Sequence, residues 1–434
     1  MKYYLAIDIG ASSGRHIVGY LDNNNKVVEE VYRFKNEMIK DNNHLIWDID
    51  YLFKEVKKGI KKAIAKYKNI ESMSIDTWGV DYVLMNDNKE ILPCFAYRDE
   101  RTSEVIEKVH SLISFNELYK ITGSQFQKFN TIYQLYDDKL RGRLKDATDF
   151  LMIPEYLIYK LTNKKIKEYT NASTTGMLDL ETNFYSEKII NRLGIDKSIF
   201  KELQKPGTVV GDFSKEVIDE VGGNIKVIIC ATHDTASAVE GIEMQENAPY
   251  ISSGTWSLLG IKLDKGINTL ESLNANFSNE YGPDYIRFQK NIMGLWIIQC
   301  LAKELNLDFI TMVNKAKESN YQEIYNVNDD CFLSSANMKD EIINYYKRHN
   351  KPLPQNDNDI INATYHSLAY SYKVAINELE DITKQKYNSL YIVGGGAKNQ
   401  YLNELTEFYT KKKVIALPIE ATSIGNLFIQ MKRK

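Results

Sequence analysis

One carboxylate, Asp234, stands where a strand is expected to end and a helix to begin, a place from which a side chain can accept a proton. The run Lys226-Val227-Ile228-Ile229-Cys230 has the β-branched content of a buried strand, and Thr235 to Val239 has the small and apolar residues of a buried helix start. A general base for phosphoryl transfer could lie at such a junction. The ordinary alternative is an N-cap that only accepts hydrogen bonds from free backbone N–H groups.

The chain begins with a strand, a small-residue turn and a second strand. Tyr3 to Ile7 leads into Asp8-Ile9-Gly10-Ala11-Ser12-Ser13-Gly14-Arg15, and β-branched and aromatic residues follow from His16 to Leu21. Glycine and serine let the backbone turn sharply and direct several N–H groups at a phosphate, beside which Asp8 could hold a magnesium ion. The turn is neither a Walker loop nor a Rossmann turn, because it lacks Gly-Lys-Ser/Thr and opens onto a strand. An ordinary hairpin turn is the alternative.

The same pattern recurs about half a chain later. Tyr250 to Ile261 again contains a strand, a Ser-Ser-Gly-Thr turn and a strand, with Thr255 as a hydroxyl donor. We therefore expect two domains, each a mixed sheet with helices packed on it, that hold a nucleotide phosphate tail from both sides of a cleft. The first domain is expected to span residues 1–244, with a helical insertion between about Arg98 and Asp179, and the second to span residues 245–434.

A run of three glycines is a candidate place for a nucleobase. Leu390 to Val393 is predicted to be an apolar strand, Gly394-Gly395-Gly396 follows, and a helix is expected around Tyr401 to Leu405. Residues without side chains allow an adenine ring to lie directly on the backbone. A flexible strand-to-helix loop is the alternative, although such a loop needs one glycine rather than three.

Carboxylates and an aromatic ring that could bind a sugar occur in the segment Ser74 to Leu84. Its alternation predicts one strand with Asp76, Trp78 and Asp81 as a pocket wall, and Gly79 would allow a ligand to approach closely. An exposed edge strand of mixed polarity would explain these residues almost as well.

Two further helices are predicted in the second half of the chain. Lys290 to Gln299 is expected to be helical, so that Asn291 and Gln299 lie about two turns apart near one face. Ile360 to Glu380 has apolar residues at helical spacing, which we interpret as a core face.

These segments together resemble the FGGY carbohydrate kinases of the actin-like and sugar-kinase superfamily, and within that family the rhamnulokinases. The resemblance extends from Tyr3 to about Gln430. Its blocks are Asp8 to Arg15, Ile75 to Asp81, Ala96 to Thr102, Phe129 to Leu135, Glu168 to Ala172, His233 to Val239, Ser252 to Leu258 and Lys290 to Trp296. The Thr-Trp-Gly-Val-Asp and Lys-Asn-Ile-Met-Gly-Leu-Trp sequences look particular to the rhamnulokinase group.

The resemblance implies an α/β fold with two duplicated actin-like (ribonuclease H-like) domains flanking a catalytic cleft. It also implies that ATP, with magnesium (Mg2+), phosphorylates the C1 hydroxyl of L-rhamnulose in L-rhamnose catabolism. On the matching positions, Asp234 would accept the proton, Asp8 is the candidate metal ligand, and His233 would orient the sugar rather than act as a second base. The implied sugar contacts are Gly79, His233, Asp234, Thr235 and Asn291, and the implied nucleotide contacts are Ala11, Ser12, Ser13, Gly14, Arg15, Thr255, Gln299 and Gly395.

Composition agrees with this interpretation. The 434 residues are enough for two large domains, and a formal net charge of -3 argues against a nucleic-acid or membrane partner. The 4 cysteines have no metal-type spacing, and no charged and apolar signal segment begins the chain. We expect a reduced, cytoplasmic protein, monomeric or a small homo-oligomer, whose partners are the sugar and ATP. Chains of the family usually continue beyond the position of Lys434, so a terminal helix of the family is expected to be missing from this sequence.

Other functions are also compatible with parts of the sequence. An actin-like ATPase would share the paired phosphate turns but would have no use for the polar segment around Trp78. A catalytically silent sugar-binding regulator would need neither Asp8 nor Asp234. Among kinases, an enzyme for another ketose such as L-fuculose differs only in a few hydroxyl contacts, each worth about 1 to 3 kcal/mol.

Overall fold

Two six-stranded sheets organise the chain. The computed structural model describes residues 1–23, 25–333, 335, 337–417 and 420–432. By its contacts the chain divides into two units. Unit 1 comprises Met1–Glu243, Leu263–Phe288 and Glu420–Lys434, and unit 2 comprises Met244–Lys262 and Gln289–Ile419. Two segments from the second half of the sequence therefore belong to the first unit.

The longest strands of the described residues belong to the two six-stranded sheets, and the others are short. They are β1 Tyr3–Ile9, β2 Ser13–Asp22, β3 Asn25–Lys35, β4 Ile39–Asp41, β5 His44–Trp47, β6 Ile70–Thr77, β7 Tyr82–Asn86, β8 Lys89–Ile91, β9 Cys94–Phe95, β10 Asp149–Met152, β11 Lys167–Glu168, β12 Leu178–Asp179, β13 Phe184–Tyr185, β14 Leu203–Gln204, β15 Val209–Gly211, β16 Lys226–Ile228, β17 Tyr250–Ser253, β18 Trp256–Leu263, β19 Ser278–Tyr281, β20 Ile286–Met293, β21 Ser389–Val393 and β22 Lys413–Leu417.

The α-helices of the described residues occur in both halves of the sequence. They are α1 Ile49–Lys66, α2 Ile106–Leu112, α3 Phe115–Thr122, α4 Thr131–Leu140, α5 Ile153–Thr162, α6 Tyr169–Ala172, α7 Glu187–Leu193, α8 Lys215–Val221, α9 Asp234–Glu240, α10 Leu270–Asn274, α11 Trp296–Glu304, α12 Phe309–Lys317, α13 Met338–Arg348, α14 Asp357–Thr383, α15 Gln400–Thr410 and α16 Ala421–Lys432. In the part of the chain that is described, no helix is long and apolar enough to cross a membrane.

The sheet of the first unit has the order β15-β16-β6-β1-β2-β3. Strand β1 is antiparallel to β2 and parallel to β6, and β6 is parallel to β16. In this register Asp8 lies opposite Arg15 on one side and opposite Asp76 on the other. Strand pairing alone thus sets two carboxylates and one guanidinium side by side across three strands.

The second sheet repeats this arrangement. Its order is β19-β20-β18-β17-β21-β22, in which β17 is antiparallel to β18 and parallel to β21, and β21 is parallel to β22. In each sheet a hairpin is therefore followed, next to its first strand, by strands that arrive later in the sequence and run parallel to it. The two predicted turn hairpins occupy matching places in the two sheets.

Most of the predicted elements are confirmed. The two hairpins, the strand and helix around Asp234, the strand and helix around the three glycines, the helical insertion and the long core helix correspond to β1–β2, β17–β18, β16 and α9, β21 and α15, α2 to α6, and α14. The predicted apolar face of α14 is buried, as at Leu368 and Tyr372.

Two predictions of local structure are wrong. Ser74 to Leu84 is not one strand, because β6 ends at Thr77 and a turn separates it from β7; nor is β6 an edge strand, since it lies between β1 and β16. Lys290 to Gln299 is not one helix either. Strand β20 continues to Met293, and α11 begins only at Trp296. Gly294 lies between the strand and the helix. A Cβ at this position would lie 2.5 Å from the Gly254 carbonyl oxygen, so only glycine fits there. Glycine is also unfavourable inside a helix, which agrees with the later start of α11.

Helix α16 returns to the first unit and packs closely against α9, which begins with Asp234. The contact depends on two glycines. A Cβ on Gly425 would lie 1.7 Å from the Ser237 carbonyl oxygen, and one on Gly241 would lie 2.2 Å from the Ala421 carbonyl oxygen. Backbone-to-backbone packing of this kind leaves no room for a methyl group.

We predict that Gly425→Ala lowers the free energy of unfolding by about 1 to 3 kcal/mol, because the methyl group forces the two helices apart. Helix propensity alone predicts the opposite sign, since alanine is favoured over glycine by about 1 kcal/mol in a helix interior. Urea unfolding measures the difference. The matched control is Gly223→Ala, whose methyl group would meet only Ile64 side-chain atoms, at 3.3 and 3.5 Å. A more stable Gly425→Ala protein would contradict the close packing of α9 and α16.

Candidate active site

Asp234 is the first residue of α9 and remains accessible. Its side chain is 30% exposed, and its Oδ1 accepts hydrogen bonds from the backbone N of Thr235 at 2.5 Å and from Thr235 Oγ1 at 3.1 Å. The N-cap position belongs to His233, whose side chain makes no capping hydrogen bond. Asp234 is therefore not the N-cap residue, although it does accept a hydrogen bond from one backbone N–H of the first turn. A carboxylate has two oxygens, so acceptor capacity is left for a ligand.

The segment before Asp234 is attached to the end of β6. Thr77 N donates to the Thr232 carbonyl oxygen at 2.9 Å, and Thr77 and His233 form a parallel bridge. This pairing places Asp234 at the carboxyl end of the central strands, the edge at which ligands bind in open α/β sheets.

Two further carboxylates, Asp8 and Asp76, lie in the same region of unit 1. Burial raises the pKa of Asp8; the Arg15 guanidinium lowers it, and the charge of Asp234 raises it. Burial also raises the pKa of Asp76, and the charge of Asp8 adds to the effect. Three carboxylates within electrostatic reach of one another favour the approach of a cation.

Hydrogen bonds hold these two carboxylates but leave one oxygen without a partner. Asp8 Oδ2 accepts from Arg15 Nε at 3.1 Å and from Ser423 Oγ at 3.3 Å, and Asp76 Oδ2 accepts from Asn426 Nδ2 at 2.6 Å. Asp76 Oδ1 is buried without a hydrogen-bond partner among the described residues. An unsatisfied buried carboxylate oxygen is costly, so this donor set fits a cation or its water shell.

The described residues contain no group of three or more His, Cys, Asp or Glu side chains arranged to cage a metal ion. Mg2+ keeps several waters and is held by one or two carboxylates together with phosphate oxygens, so the adjacent carboxylates of Asp8 and Asp76 fit such an ion. Asp8, predicted as the metal ligand, is the member of the pair that lies near the end of β1, just before the first turn.

The predicted nucleotide contacts of the first turn, Ala11 to Arg15, differ in what they do in the structure. Gly10 N donates to the Ser13 carbonyl oxygen at 2.9 Å, which closes the turn around Ala11 and Ser12. Gly14 serves packing, since a Cβ there would lie 2.2 Å from the Phe34 ring. Arg15 is ion-paired with Asp8 and also with Glu420, so it is held at the turn by two carboxylates.

The second unit brings together the other three predicted nucleotide contacts. Thr255 Oγ1 lies 3.2 Å from Gln299 Oε1, and Gln299 and Gly395 line one cavity of about 470 Å³. The remaining lining residues are Leu295, Ile298, Phe309, Ile310, Val313, Asn314, Lys317, Lys398, Asn399, Gln400 and Tyr401. A cavity lined by apolar side chains, amide groups and two lysines can hold a small-molecule ligand.

The three consecutive glycines have different functions. Gly394 has φ +82°, and a Cβ there would lie 2.7 Å from the Ser253 carbonyl oxygen; a Cβ on Gly396 would lie 1.9 Å from Ser253 Oγ. Only Gly395 has no atom within 4 Å of its hypothetical Cβ. Two glycines are thus required to pack against the second turn, and the third presents open backbone to the cavity.

The predicted sugar contacts are divided between the units. Gly79, His233, Asp234 and Thr235 belong to unit 1, whereas Asn291 belongs to unit 2, exposed on β20. Gly79 lies in the turn between β6 and β7, where Asp81 N donates to the Gly79 carbonyl oxygen at 2.9 Å and Val80 has φ +68°. A β-branched residue in the left-handed region is strained, which is common at functional sites.

His233 has neighbours that the sequence did not suggest. The buried Arg287 donates from Nη2 to His233 Nδ1 at 3.1 Å and to Glu280 Oε2 at 2.9 Å. His233 Nδ1 also lies 3.2 Å from Glu280 Oε2, and its Nε2 lies 3.5 Å from Asp234 Oδ1, so the ring is held between a guanidinium and two carboxylates. This agrees with an orienting role for His233. Glu280 on β19 and Arg287 on β20 belong to no sequence motif, so the sequence gives no signal for them, and only the fold brings them to His233.

Trp78 and Asp81 do not form a pocket wall. Asp81 is fully buried and accepts hydrogen bonds from Trp47 Nε1, Trp78 Nε1, Tyr97 N and Gln134 Nε2 at 2.7 to 3.1 Å. Burial raises its pKa to about 6. The prediction is wrong because the Asp81 carboxylate accepts hydrogen bonds from buried donors, most of which are distant in sequence. Asp76 is also fully buried and belongs to the cluster around Asp8.

Comparison with protein families gives two matches that together cover most of the chain. Residues 3–241 match the N-terminal domain of the FGGY family of carbohydrate kinases, and residues 249–433 match its C-terminal domain. A protein named rhamnulokinase from Oceanobacillus iheyensis is 45% identical over 98% of this chain and 92% of its own length. Rhamnulokinases from Halalkalibacterium halodurans and Bacillus subtilis are 42% and 40% identical, over 99% of this chain and 93% and 90% of their own lengths.

Solved structures confirm the predicted fold. A ligand-bound xylulose kinase from Lactobacillus acidophilus matches with a TM-score of 0.85 at 15% identity, over 100% of this chain and 89% of that one. A glycerol kinase with ADP from Plasmodium falciparum matches with a TM-score of 0.80 at 16% identity, over 99% and 89%. The fold is the two-domain α/β fold of these kinases, actin-like and ribonuclease H-like.

We predict that Asp81→Asn lowers the free energy of unfolding by about 1 to 3 kcal/mol, because all four partners of the carboxylate are donors and an amide nitrogen would face one of them. Urea unfolding at neutral pH measures the loss, with Asp219→Asn on the exposed face of α8 as the matched control. If Asp81→Asn kept its stability but lost ligand affinity, Asp81 would be a ligand-binding residue after all.

Proposed function

Because the chain belongs to the FGGY family of carbohydrate kinases, we propose that it transfers the γ-phosphoryl group of ATP to the C1 hydroxyl of L-rhamnulose. The products are L-rhamnulose 1-phosphate and ADP. The observation that carries the catalytic part of this proposal is an accessible carboxylate, Asp234, beside the Asp8 and Asp76 pair. The relatives named rhamnulokinase, 37% to 45% identical over nearly the whole chain, support L-rhamnulose as the acceptor.

The proposed sugar-binding and base-carrying domain spans residues 1–244. Asp234 accepts the proton of the attacking hydroxyl, and His233 donates a hydrogen bond that orients the sugar. The other proposed sugar contacts are Thr235, the backbone at Gly79, and Asn291. The protein's main task is to position the hydroxyl in line with the γ-phosphate, while the base takes up the proton late.

The proposed nucleotide-binding domain spans residues 245–434. Adenine lies against the open backbone at Gly395 in the cavity that Gln299 also lines, and Thr255 donates to a phosphate oxygen. The turn from Ala11 to Arg15 supplies further backbone N–H groups and the Arg15 guanidinium to the phosphates. Arg15 would then exchange part of its pairing with Asp8 and Glu420 for the phosphate charge.

Asp8 is the proposed holder of Mg2+, with Asp76 next to it as a second source of negative charge. A bound Mg2+ neutralises charge on the transferred phosphoryl group. Asn426 and Ser423 keep the two carboxylates oriented by donating hydrogen bonds to them.

The proposed function is tested by coupling ADP release to a panel of ketoses that includes L-rhamnulose and L-fuculose. The highest kcat/KM is expected for L-rhamnulose, with little ATP hydrolysis when sugar is omitted. A preference for L-fuculose would change the acceptor but not the reaction. Fast sugar-independent hydrolysis would instead favour an actin-like ATPase, and sugar binding without turnover would favour a regulator.

We predict that Asp234→Asn lowers kcat by about 10² to 10⁴, because the amide keeps the shape of the carboxylate but cannot accept the proton. Calorimetric titration should find affinities for L-rhamnulose and for a non-hydrolysable ATP analogue close to those of the parent. Asp219→Asn serves as the control with unchanged kcat. Turnover of Asp234→Asn within a few-fold of the parent would remove Asp234 as the base.

We predict that Asp8→Asn raises the magnesium concentration needed for half-maximal rate by about 10- to 100-fold, the range typical when support of a metal site is lost. A magnesium titration of the initial rate at saturating ATP and sugar measures the change. The matched control is Asp22→Asn, at the exposed end of β2. Superimposable titrations of Asp8→Asn and parent would exclude Asp8 from the metal site.

A further inference from the structure

A buried polar segment, Glu168 to Thr174, has no role in the reaction as described so far. It includes the end of β11, helix α6 and the start of a 3-10 turn. Glu168, Thr170 and Asn171 are fully buried, and Thr174 is nearly so. A run of buried polar side chains is costly unless each one is bonded, so the bonds of this segment indicate what it holds in place.

The carboxylate of Glu168 holds the loop that leads to the proposed base. Its Oε2 accepts from Thr232 Oγ1 at 2.6 Å and from Thr232 N at 3.3 Å. Within its own segment the carboxylate accepts from Thr170 N, Thr170 Oγ1 and Asn171 N at 2.7 to 2.9 Å. Asn171 Nδ2 donates to the Thr232 carbonyl oxygen at 3.3 Å, so the Thr232 peptide is bonded on both sides.

The other end of the segment holds the turn that contains Gly79. Thr174 Oγ1 accepts from Val80 N at 2.9 Å and donates to the Asn171 carbonyl oxygen at 2.8 Å. A Cβ on Gly79 would lie 2.7 Å from the Thr174 side chain, so the turn is packed directly against it. Val80, at φ +68°, needs such support because its backbone conformation is strained.

We propose that Glu168 and Thr174 are positioning residues that hold the two loops of the sugar half-site, Thr232–Asp234 and Gly79–Val80, in fixed relation to each other. The proposal rests on the proposed function, since it assigns the first loop to the base and the second to the sugar. The proposal assigns a different kinetic effect to each of the two residues. Loss of the Glu168 bonds displaces the base and lowers kcat, whereas loss of the Thr174 bond loosens the sugar turn and raises the KM for the sugar.

Conservative substitutions remove these bonds with little change of shape. All five partner groups of Glu168 are donors. In Glu168→Gln the amide nitrogen therefore faces a donor in either orientation of the side chain. Thr174→Val replaces the hydroxyl by a methyl group and leaves Val80 N without its acceptor.

The experiment compares Glu168→Gln and Thr174→Val in steady-state kinetics, per folded protein, with the best ketose of the panel. For Glu168→Gln we expect kcat to fall by about 10- to 100-fold, the cost of misplacing a reacting group by about 1 Å. For Thr174→Val we expect the sugar KM to rise by about tenfold, the loss of one buried hydrogen bond, with kcat nearly unchanged. The KM for ATP should stay the same in both.

A structural role alone would not produce this division between kcat and KM. The matched control is Glu380→Gln, a buried carboxylate in unit 2 that is bonded to Lys386, Lys412 and Tyr387 N. It should lose stability yet keep both constants. If Glu168→Gln does not fold, Thr232→Val and Thr232→Ser replace it, because only serine keeps the hydroxyl that donates to Glu168. A lowered kcat in the valine variant, restored by serine, supports the role.

Failure of this proposal differs from failure of the proposed function. A parent protein that phosphorylates no ketose contradicts the proposed function, and the assignment of Glu168 and Thr174 with it. An active parent whose Glu168→Gln and Thr174→Val variants keep kcat and sugar KM within about twofold contradicts only the positioning roles. Equal kcat values for Thr232→Val and Thr232→Ser would also overturn the role of Glu168.

Discussion

The mutual repulsion of Asp8 and Asp76 is the constraint around which the first unit is organised. Parallel pairing of β1 and β6 sets the two carboxylates opposite each other, and burial raises the pKa of both. Such a pair needs compensation from nearby donors and charges. Arg15 arrives from the antiparallel β2, and α16 supplies Ser423 and Asn426. The magnesium ion of the proposed function would supply further positive charge next to Asp8 and Asp76.

Close backbone packing makes that compensation possible. Helix α16 reaches the carboxylates only because Gly241 and Gly425 let it lie directly on α9. In the second unit, Gly394 and Gly396 similarly bring β21 onto the Ser253 turn, and this leaves Gly395 as open backbone in the cavity. The same residue type therefore serves two purposes: most of these glycines allow tight packing, and one offers a surface to a ligand.

The loops around the proposed base are held mainly by side-chain hydrogen bonds. Glu168 to Thr174 is held by hydrogen bonds in which a carboxylate or hydroxyl accepts from backbone N–H groups of both loops. Bonds of this kind are strong in a buried setting and tolerate no exchange of acceptor for donor. The partly exposed Asp234 thus follows a loop that is held by buried hydrogen bonds, and the strained Val80 is kept in place by the same segment.

The sequence by itself determined the duplicated hairpins, the junction at Asp234, the glycine-rich strand-to-helix turn and the long core helix. These follow from β-branched runs, helical spacing and turn residues, which act between near neighbours in the chain. It also supported the family resemblance through its ordered blocks. It failed at Ser74 to Leu84 and at Lys290 to Gln299, where a turn at Val80 and close packing at Gly294 interrupt the pattern. Only the tertiary structure decided that Asp81 is internal, that Asn426 meets Asp76 across 350 residues, and that Glu168 supports Thr232. Burial and hydrogen-bond partners depend on which distant segments pack together, and no local periodicity encodes that.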